Sequence, residues 1–324
     1  MSGERGLMTK NSWLIALLLI AGAAYALQKA GPLRGEWRAD QITEGVYVIH
    51  GPTELPSPSN QGFMNNPAFI VTDQGVVVVD PGSSVQVGEM LLTAIEKVTD
   101  KPILAVFNSH IHGDHWLGNQ AIRARYPEVP IYGHERVGPK ILAGAGTEWV
   151  ELMLRLTENA TAGTEVVKPD HPVKDGDEFV IDGLTYLVMN NDKAHTDTDI
   201  MLHVKERGVM FLGDNAGHGR ILRLEGGSFA GNIMALENAL ATDASVFVPG
   251  HGPSGGREVA ERYRDYLHTV YSTAQQGVEE GLADFEIRPL LTPKLAPWEK
   301  WAGFDIELGK HINGAFLEAE AAAF

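Results

Sequence analysis

No cysteine occurs anywhere in the 324 residues of this chain. That absence excludes thiol nucleophiles, disulfides, Cys-rich structural zinc sites and lipid attachment through an N-terminal Cys. It is compatible with an oxidising compartment without requiring one. Cationic residues are also scarce: 26 Lys and Arg stand against 42 Asp and Glu, for a net charge of −16. Phosphate backbones are bound by clustered Lys and Arg, so this balance argues against a nucleic-acid partner and reads as a solvated acidic surface. Internal repeats and low-complexity tracts are lacking as well. The apolar run from Trp13 to Leu27 is short beside the roughly 20 residues of a comfortable membrane span.

That run follows Lys10 and ends in Ala24-Tyr25-Ala26. A basic start, a short apolar stretch and a small-x-small step are the parts of a cleaved export signal. Residues 1–26 therefore read as a signal peptide or, if uncleaved, an N-terminal anchor. The mature protein would begin near Leu27 and work in the periplasm or outside the cell, with no stable membrane insertion once cleaved. Residues 27–41 read as a Gly/Pro-containing linker.

The hydrophobic fraction of 44% is sufficient for a sizeable core. Ile42–Gly51 and Ala68–Asp80 read as strands, the second broken by a turn at Thr72-Asp73-Gln74-Gly75. Ser83–Val98 has helical spacing, Ile103–Phe107 reads as a buried strand, Leu117–Tyr126 as a helix and Val129–Tyr132 as a strand. Val137–Leu156 is helical with interruptions around Ala143-Gly144-Ala145-Gly146. A second β-rich half offers strands at 178–181, 185–189, 200–204, 209–212 and 245–249, with a helix over 233–240. Amphipathic helices follow at 257–280 and 306–322. Two β-rich halves that each carry helices predict an α+β fold, a single αβ/βα sandwich over residues 42–256, with 257–324 as a helical extension packed on it.

The strand Ile103–Phe107 leads into His110-Ile111-His112-Gly113-Asp114-His115. Three imidazoles and a carboxylate in six residues, on a loop after a buried strand, are the nitrogen and oxygen donors of a zinc-type site. Four donors this close do not easily serve one tetrahedral ion. Alternation along an extended segment lets His110 and His112 share one metal while Asp114 and His115 turn to another. Further donors stand beside apolar strands in the second half: His195 before 200–204, Asp214 after 209–212, and His251 after 245–249. Each alone fits a capping or hydrogen-bonding residue. Together, beside turn-permitting glycines, they favour ligation.

The set His110-x-His112-x-Asp114-His115, His195, Asp214 and His251, with Asp80 in Val79-Asp80-Pro81-Gly82, resembles the metallo-β-lactamase superfamily over roughly Ile42 to Gly256. The resemblance implies an αββα sandwich with the site at one edge between two mixed sheets. It implies that His110, His112 and His195 bind a first metal and Asp114, His115 and His251 a second. Asp214 would bridge the two, while Asp80 supports the ligand loops through hydrogen bonds. Two Zn2+ ions are the expected cofactors, though His and carboxylate also suit iron or manganese. A hydroxide shared between the ions would attack an ester, thioester, lactone or amide of a small-molecule substrate, since metal binding takes the pKa of water from about 15.7 toward about 7. Asp114 would also orient that nucleophile or handle its proton. Asp214 stands where the best-known β-lactamases carry Cys or Ser, as in thioester- and lactone-hydrolysing relatives.

The interval of 80 positions from His115 to His195 is long beside glyoxalase II-like proteins and implies inserted structure around 143–170. In this the chain looks closer to β-lactamases and to exported hydrolases linked with sulfur oxidation and quinoprotein systems. Trp149, Met153 and Leu156 fit core packing, and also a wall or lid over the site. Arg220 and Arg223 could hold a substrate carboxylate, and Asn60, Asn65 and Trp116 fall on loops that contact substrate in the family. His134 reads as a strand-end structural residue. His50, His171, His203, His218, His268 and His311 read as surface or packing residues. The alternatives to a dinuclear hydrolase are a β-lactamase, an iron-dependent persulfide dioxygenase-like enzyme and a non-enzymatic periplasmic accessory protein. The sequence leaves the oligomeric state open.

Overall fold

A computed structural model describes residues 28–323, and the expected export segment at 1–26 lies outside the described residues. The strands divide into a seven-stranded and a five-stranded sheet. The first is built from β1 (Asp40–Thr43), β2 (Val46–Val48), β3 (Ala68–Val71), β4 (Val76–Val79), β5 (Ile103–Asn108), β6 (Ile131–His134) and β7 (His171–Val173), in that spatial order. Its pairings are antiparallel from β1 to β4 and parallel from β4 to β7. The second sheet contains β8 (Glu178–Ile181), β9 (Leu184–Met189), β10 (Met201–Val204), β11 (Val209–Gly217) and β12 (Val246–His251). Here only the β11–β12 pair is parallel.

Burial follows from the residue types. β4 is Val-Val-Val-Val and buried throughout, as β-branched residues covered on both faces should be. One face of each sheet meets the other in a core of Val48, Ile70, Val77, Phe107, Tyr186, Val188, Leu202 and Phe211 among others. Phe107 stacks between Tyr132 of β6 and Tyr186 of β9, at ring centroid distances of 4.8 and 5.8 Å. The outer face of the first sheet is covered by α1 (Val85–Glu96) and α2 (Asn119–Arg125). The outer face of the second is covered by α5 (Phe229–Leu240), α6 (Glu258–Glu279), α7 (Asp284–Leu291) and α8 (Phe304–Ala323). Between β6 and β7 the chain forms α3 (Val137–Lys140), a π-helical turn at Ile141–Ala145 and α4 (Gly146–Leu156). The result is the expected αββα sandwich.

Several boundaries differ from the sequence reading. In place of one strand over Ile42–Gly51 the chain forms the hairpin β1–β2, turning at Gly45, which adopts φ +70° and lies too close to the Val71 carbonyl for any side chain. β7 and α7 were not expected. β7 is only three residues long and α7 carries Pro289, so periodicity has little to detect in either. The 27–41 linker is not free: Leu33, Trp37 and Ala39 pack on the α1 side, and Arg34 binds Gln61 and the Pro58 carbonyl. No helix among the described residues is long and apolar enough to cross a membrane.

The C-terminal helices carry polar links as well as apolar contact. Glu318 of α8 accepts from Ser228 Oγ and from the first amides of α5 at 2.7–3.0 Å, where a carboxylate complements the helix dipole. His311 of α8 is buried, with Nδ1 2.9 Å from the Tyr266 hydroxyl of α6. Burial pushes its pKa from 6.5 down to about 4. The unfolded chain therefore takes up this proton first as pH falls, so stability is lost from about pH 6.5 down to about 4 and the contribution vanishes above that range. We expect His311→Gln to gain stability relative to the wild type as pH falls from 7 to 4.5. Urea melts at several pH values measure that difference, and a pH-independent gap would refute it.

Candidate metal centre

The ends of three strands, two of them inner and the third at the edge of the five-stranded sheet, and two loops converge at one edge of the sandwich. β5 delivers His110 and the short 3-10 turn Gly113–His115, β11 delivers Asp214 and β12 delivers His251. His195 comes from the loop between β9 and β10. Asp214 and His251 lie inside their strands rather than beyond them, in a stretch where the β11–β12 register slips between Gly213 and Gly217. The bulge re-aims the Asp214 side chain toward the sheet edge.

The donors form two groups: His110, His112, His195 and Asp214 in one, Asp114, His115 and His251 in the other. Ligand atoms within each group lie within 4.8 Å of one another. In the first, His195 Nε2 is 3.1 Å from His112 Nδ1, and Asp214 Oδ2 is 3.5 Å from His195 Nε2 and 3.8 Å from His110 Nε2. In the second, Asp114 Oδ2 lies 3.3 Å from His115 Nε2 and 3.2 Å from His251 Nε2. Asp214 Oδ1 faces this group too, at 3.1 and 3.3 Å from the same nitrogens. One carboxylate thus presents an oxygen to each group.

The opposite ring nitrogens are tied down. Asp80 Oδ1 accepts from the Ser109 amide at 2.7 Å, while its Oδ2 accepts from Ser109 Oγ at 2.7 Å and from His115 Nδ1 at 2.8 Å. Ser109 Oγ in turn accepts from His110 Nδ1 at 3.0 Å. His251 Nδ1 donates to the Met64 carbonyl at 2.7 Å. These bonds fix the tautomers of His110, His115 and His251 with Nε2 turned inward, which is how supporting contacts prepare imidazole ligands. His110 Nε2, His115 Nε2 and Asp214 Oδ1 are buried without a hydrogen-bond partner. Buried polar atoms are rarely left so, and convergent orphaned donors of this chemistry fit divalent cations.

Electrostatics agrees. Burial pushes His110 well below its ordinary pKa, and takes His112 to about 4 and His195 to about 3, so all three are neutral lone-pair donors at pH 7. Burial would also lower His115 and His251, but the Asp214 carboxylate, with Asp114 beside it, raises both. For Asp114 and Asp214 burial opposes ionisation, and the His115 and His251 imidazoles outweigh it, holding both carboxyls well below their usual range. Two buried carboxylates remain charged among imidazoles, a field that calls for cations.

Other candidates fall elsewhere. Asn65 and Trp116 are buried, donating to the Asp80 and Ile111 carbonyls, and Asn60 braces the 55–62 turn. Their polar atoms serve loop packing. Arg220 is buried behind His251, donating to the Glu54 carbonyl, and Arg223 is exposed and paired with Glu225. His134 accepts from the Arg136 amide of its own loop. The six remaining histidines belong to neither group. In the inserted segment Met153 is core and Leu156 is exposed, whereas the half-buried Trp149 ring lies 5.1 Å from the His112 ring and lines that side of the site. The sequence reading missed Ser109, and it missed Thr196, Thr198 and Asp199. Thr198 Oγ1 accepts from the Ile111 amide and Asp199 accepts twice from Thr196, joining the His195 loop to the His110 loop. Ser109 was detectable by its place directly before His110.

The Asp80 carboxylate holds both His115 and, through Ser109, His110. Asp80→Asn therefore weakens metal binding by about 10- to 100-fold, the usual cost of losing such support. Chelator competition checks this, and unchanged affinity would contradict the arrangement.

Comparison with known proteins places the fold and site in context. Residues 61–251 match the family model of the metallo-beta-lactamase superfamily. A linear primary-alkylsulfatase of Pseudomonas sp. (strain ATCC 19151) is 26% identical over 267 residues, covering 70% of this chain and 50% of that protein. The atrochrysone carboxyl ACP thioesterase of Emericella nidulans is 25% identical over 60% of this chain and 53% of its own length. The chain thus spans about half the length of these curated relatives. Among solved structures, a stereoselective inverting sec-alkylsulfatase of Pseudomonas sp. aligns over 86% of this chain and 50% of its own, with a TM-score of 0.68 at 16% identity. A metallo-beta-lactamase from Pontibacter korlensis aligns over 72% of this chain and 99% of its own, with a TM-score of 0.57 at 18% identity. With more than half of its residues inside the matched segment, and with the two donor groups at the sheet edge, the chain belongs to the metallo-beta-lactamase superfamily.

Proposed function

We propose that this protein is an exported, dinuclear metal-dependent hydrolase that cuts an ester, thioester, lactone or amide bond in a small-molecule substrate. The observation that carries the reading is Asp214, whose two carboxylate oxygens face the two donor groups separately. Bound there, a pair of zinc ions, or iron or manganese in their place, would supply an acidified water and polarise the bond under attack. His110, His112 and His195 would hold one ion, Asp114, His115 and His251 the other. Asp114 is buried and ionised beside His115 and His251, placed to orient the attacking water. Trp149 against His112 offers an apolar surface to the substrate.

A second reading within this class is a sulfate ester. The alignment to the linear primary-alkylsulfatase runs 267 residues, longer than the 61–251 family segment, so the similarity includes chain outside the shared core.

Metal analysis of the purified protein is expected to give two zinc ions per chain, whereas one iron would favour the oxygenase alternative. Asp214→Asn should lose one ion and lower kcat/KM by at least about 100-fold, the upper end of what a merely supporting contact costs. A panel of thioesters, lactones, aryl esters, a cephalosporin and alkyl sulfates tests the substrate. Failure of all of them with a fully loaded protein would sink the hydrolase reading. Export is supported by Lys10, the apolar run and Ala24-Tyr25-Ala26. N-terminal sequencing of protein from the periplasmic fraction should begin near Leu27, and an intact Met1 would refute cleavage.

A further inference from the structure

The chain after Gly256 lies outside the segment matched by the family model, yet it fixes one wall of the metal centre. After β11 ends at Gly217, residues 218–222 turn back beside His251, whose carbonyl accepts from the His218 amide at 2.9 Å. Arg220 in this turn is 7% exposed. Its Nη1 lies 3.3 Å from the Glu54 carbonyl and 3.3 Å from His251 Nδ1, and its Nη2 3.9 Å from Met64 Sδ. His251 Nδ1 already donates to the Met64 carbonyl. Two donors cannot bond each other. The guanidinium instead packs against the ring and binds the loop that supplies the carbonyl for His251.

What holds Arg220 comes from the C-terminal layer. The Ile221 amide donates to the Ala302 carbonyl at 2.8 Å, and the Ala302 amide returns a bond to the Gly219 carbonyl at 2.9 Å. The Leu222 amide donates to the buried Tyr263 hydroxyl of α6 at 3.0 Å. Gly303 sits at φ +80°, and a Cβ there would lie 2.8 Å from the Ile221 carbonyl. Only glycine admits this approach without displacement. The turn is therefore clamped on both sides of Arg220 by residues remote in sequence.

We propose that the C-terminal helical layer is a working part of the metal centre. Tyr263 and the Ala302–Gly303 strap hold the 219–222 turn so that Arg220 keeps the Met64 carbonyl on His251, which sets the affinity of the ion that His251 binds. The inference rests on the reading of His251 as a ligand. Tyr263 is a positioning residue: it acts through Leu222 and Arg220.

The test uses the full chain, stripped of metal and titrated with zinc against a chromophoric chelator, together with hydrogen exchange. His251→Ala first identifies the binding step to which His251 contributes. Tyr263→Phe, which deletes only the acceptor oxygen, should weaken that step by about 10- to 100-fold and leave any other step unchanged. It should also speed exchange at residues 218–222. Arg220→Ala should weaken the same step, and the double variant should be no weaker than Arg220→Ala alone, the non-additivity of residues acting in series. Gly303→Ala provides a second, independent release of the turn. An unchanged His251-dependent step in Tyr263→Phe would overturn the proposal. So would additive effects in the double variant, or equal weakening of every step with lowered thermal stability. A wild type that takes a single ion would instead defeat the two-ion reading, and the His251-dependent step would still judge the proposal.

Discussion

The structure is organised around a buried carboxylate that must satisfy two sets of imidazoles at once. Asp214 leaves β11 within a slipped stretch of the β11–β12 pairing, and its oxygens diverge toward His110 and His195 on one side and His115 and His251 on the other. A charge so deeply buried needs compensation. The geometry also demands space. A Cβ on Gly250 would collide with Asp214 Oδ1, and one on Gly213 would press on Ser109 at 2.8 Å. The carboxylate can face both groups because glycine on the neighbouring strand and at the bulge leaves room for it against the backbone.

Around that carboxylate the sandwich works as a rigid frame. Phe107, stacked between Tyr132 and Tyr186, fixes the end of β5 three residues before His110. Asp80, itself at φ +49° after β4, reaches across to the parallel neighbour β5 and holds Ser109 and His115. Parallel pairing of β4 with β5, and of β11 with β12, brings strand ends with the same polarity to one edge. Loops that leave such an edge carry side chains into a shared crevice. The hydrogen bonds behind the rings then decide which nitrogen faces inward.

Much of this was legible in the chain. The donor set could be read because metal chemistry needs a few residue types at restricted spacings, and those types crowd into six residues and three strand ends; the full division of the donors and the place of Asp214 between them came from the resemblance to a known family. The strands with uniform or alternating apolar patterns, such as Val76–Val79 and Leu184–Met189, were equally readable. The role of Arg220 was not. As an isolated arginine near Asp214 it suggests a substrate anchor, and only folding shows its guanidinium buried against Met64 and His251. Trp149 divides the difference: its place in the sequence fits both core packing and a wall over the site, and the fold sets its ring 5.1 Å from that of His112.

The sequence by itself determined the chemistry of the donor groups, the absence of thiol chemistry and the layered fold, because these depend on residue identity and on local periodicity. Tertiary structure alone decided which groups stand behind the donor imidazoles. Ser109 and Asp80 are 29 residues apart, Met64 and His251 are 187, and Leu222 and Tyr263 are 41. Contacts over such separations leave no periodic trace in a single chain, since they are set by strand order, by bulges and by where a glycine permits two backbones to meet.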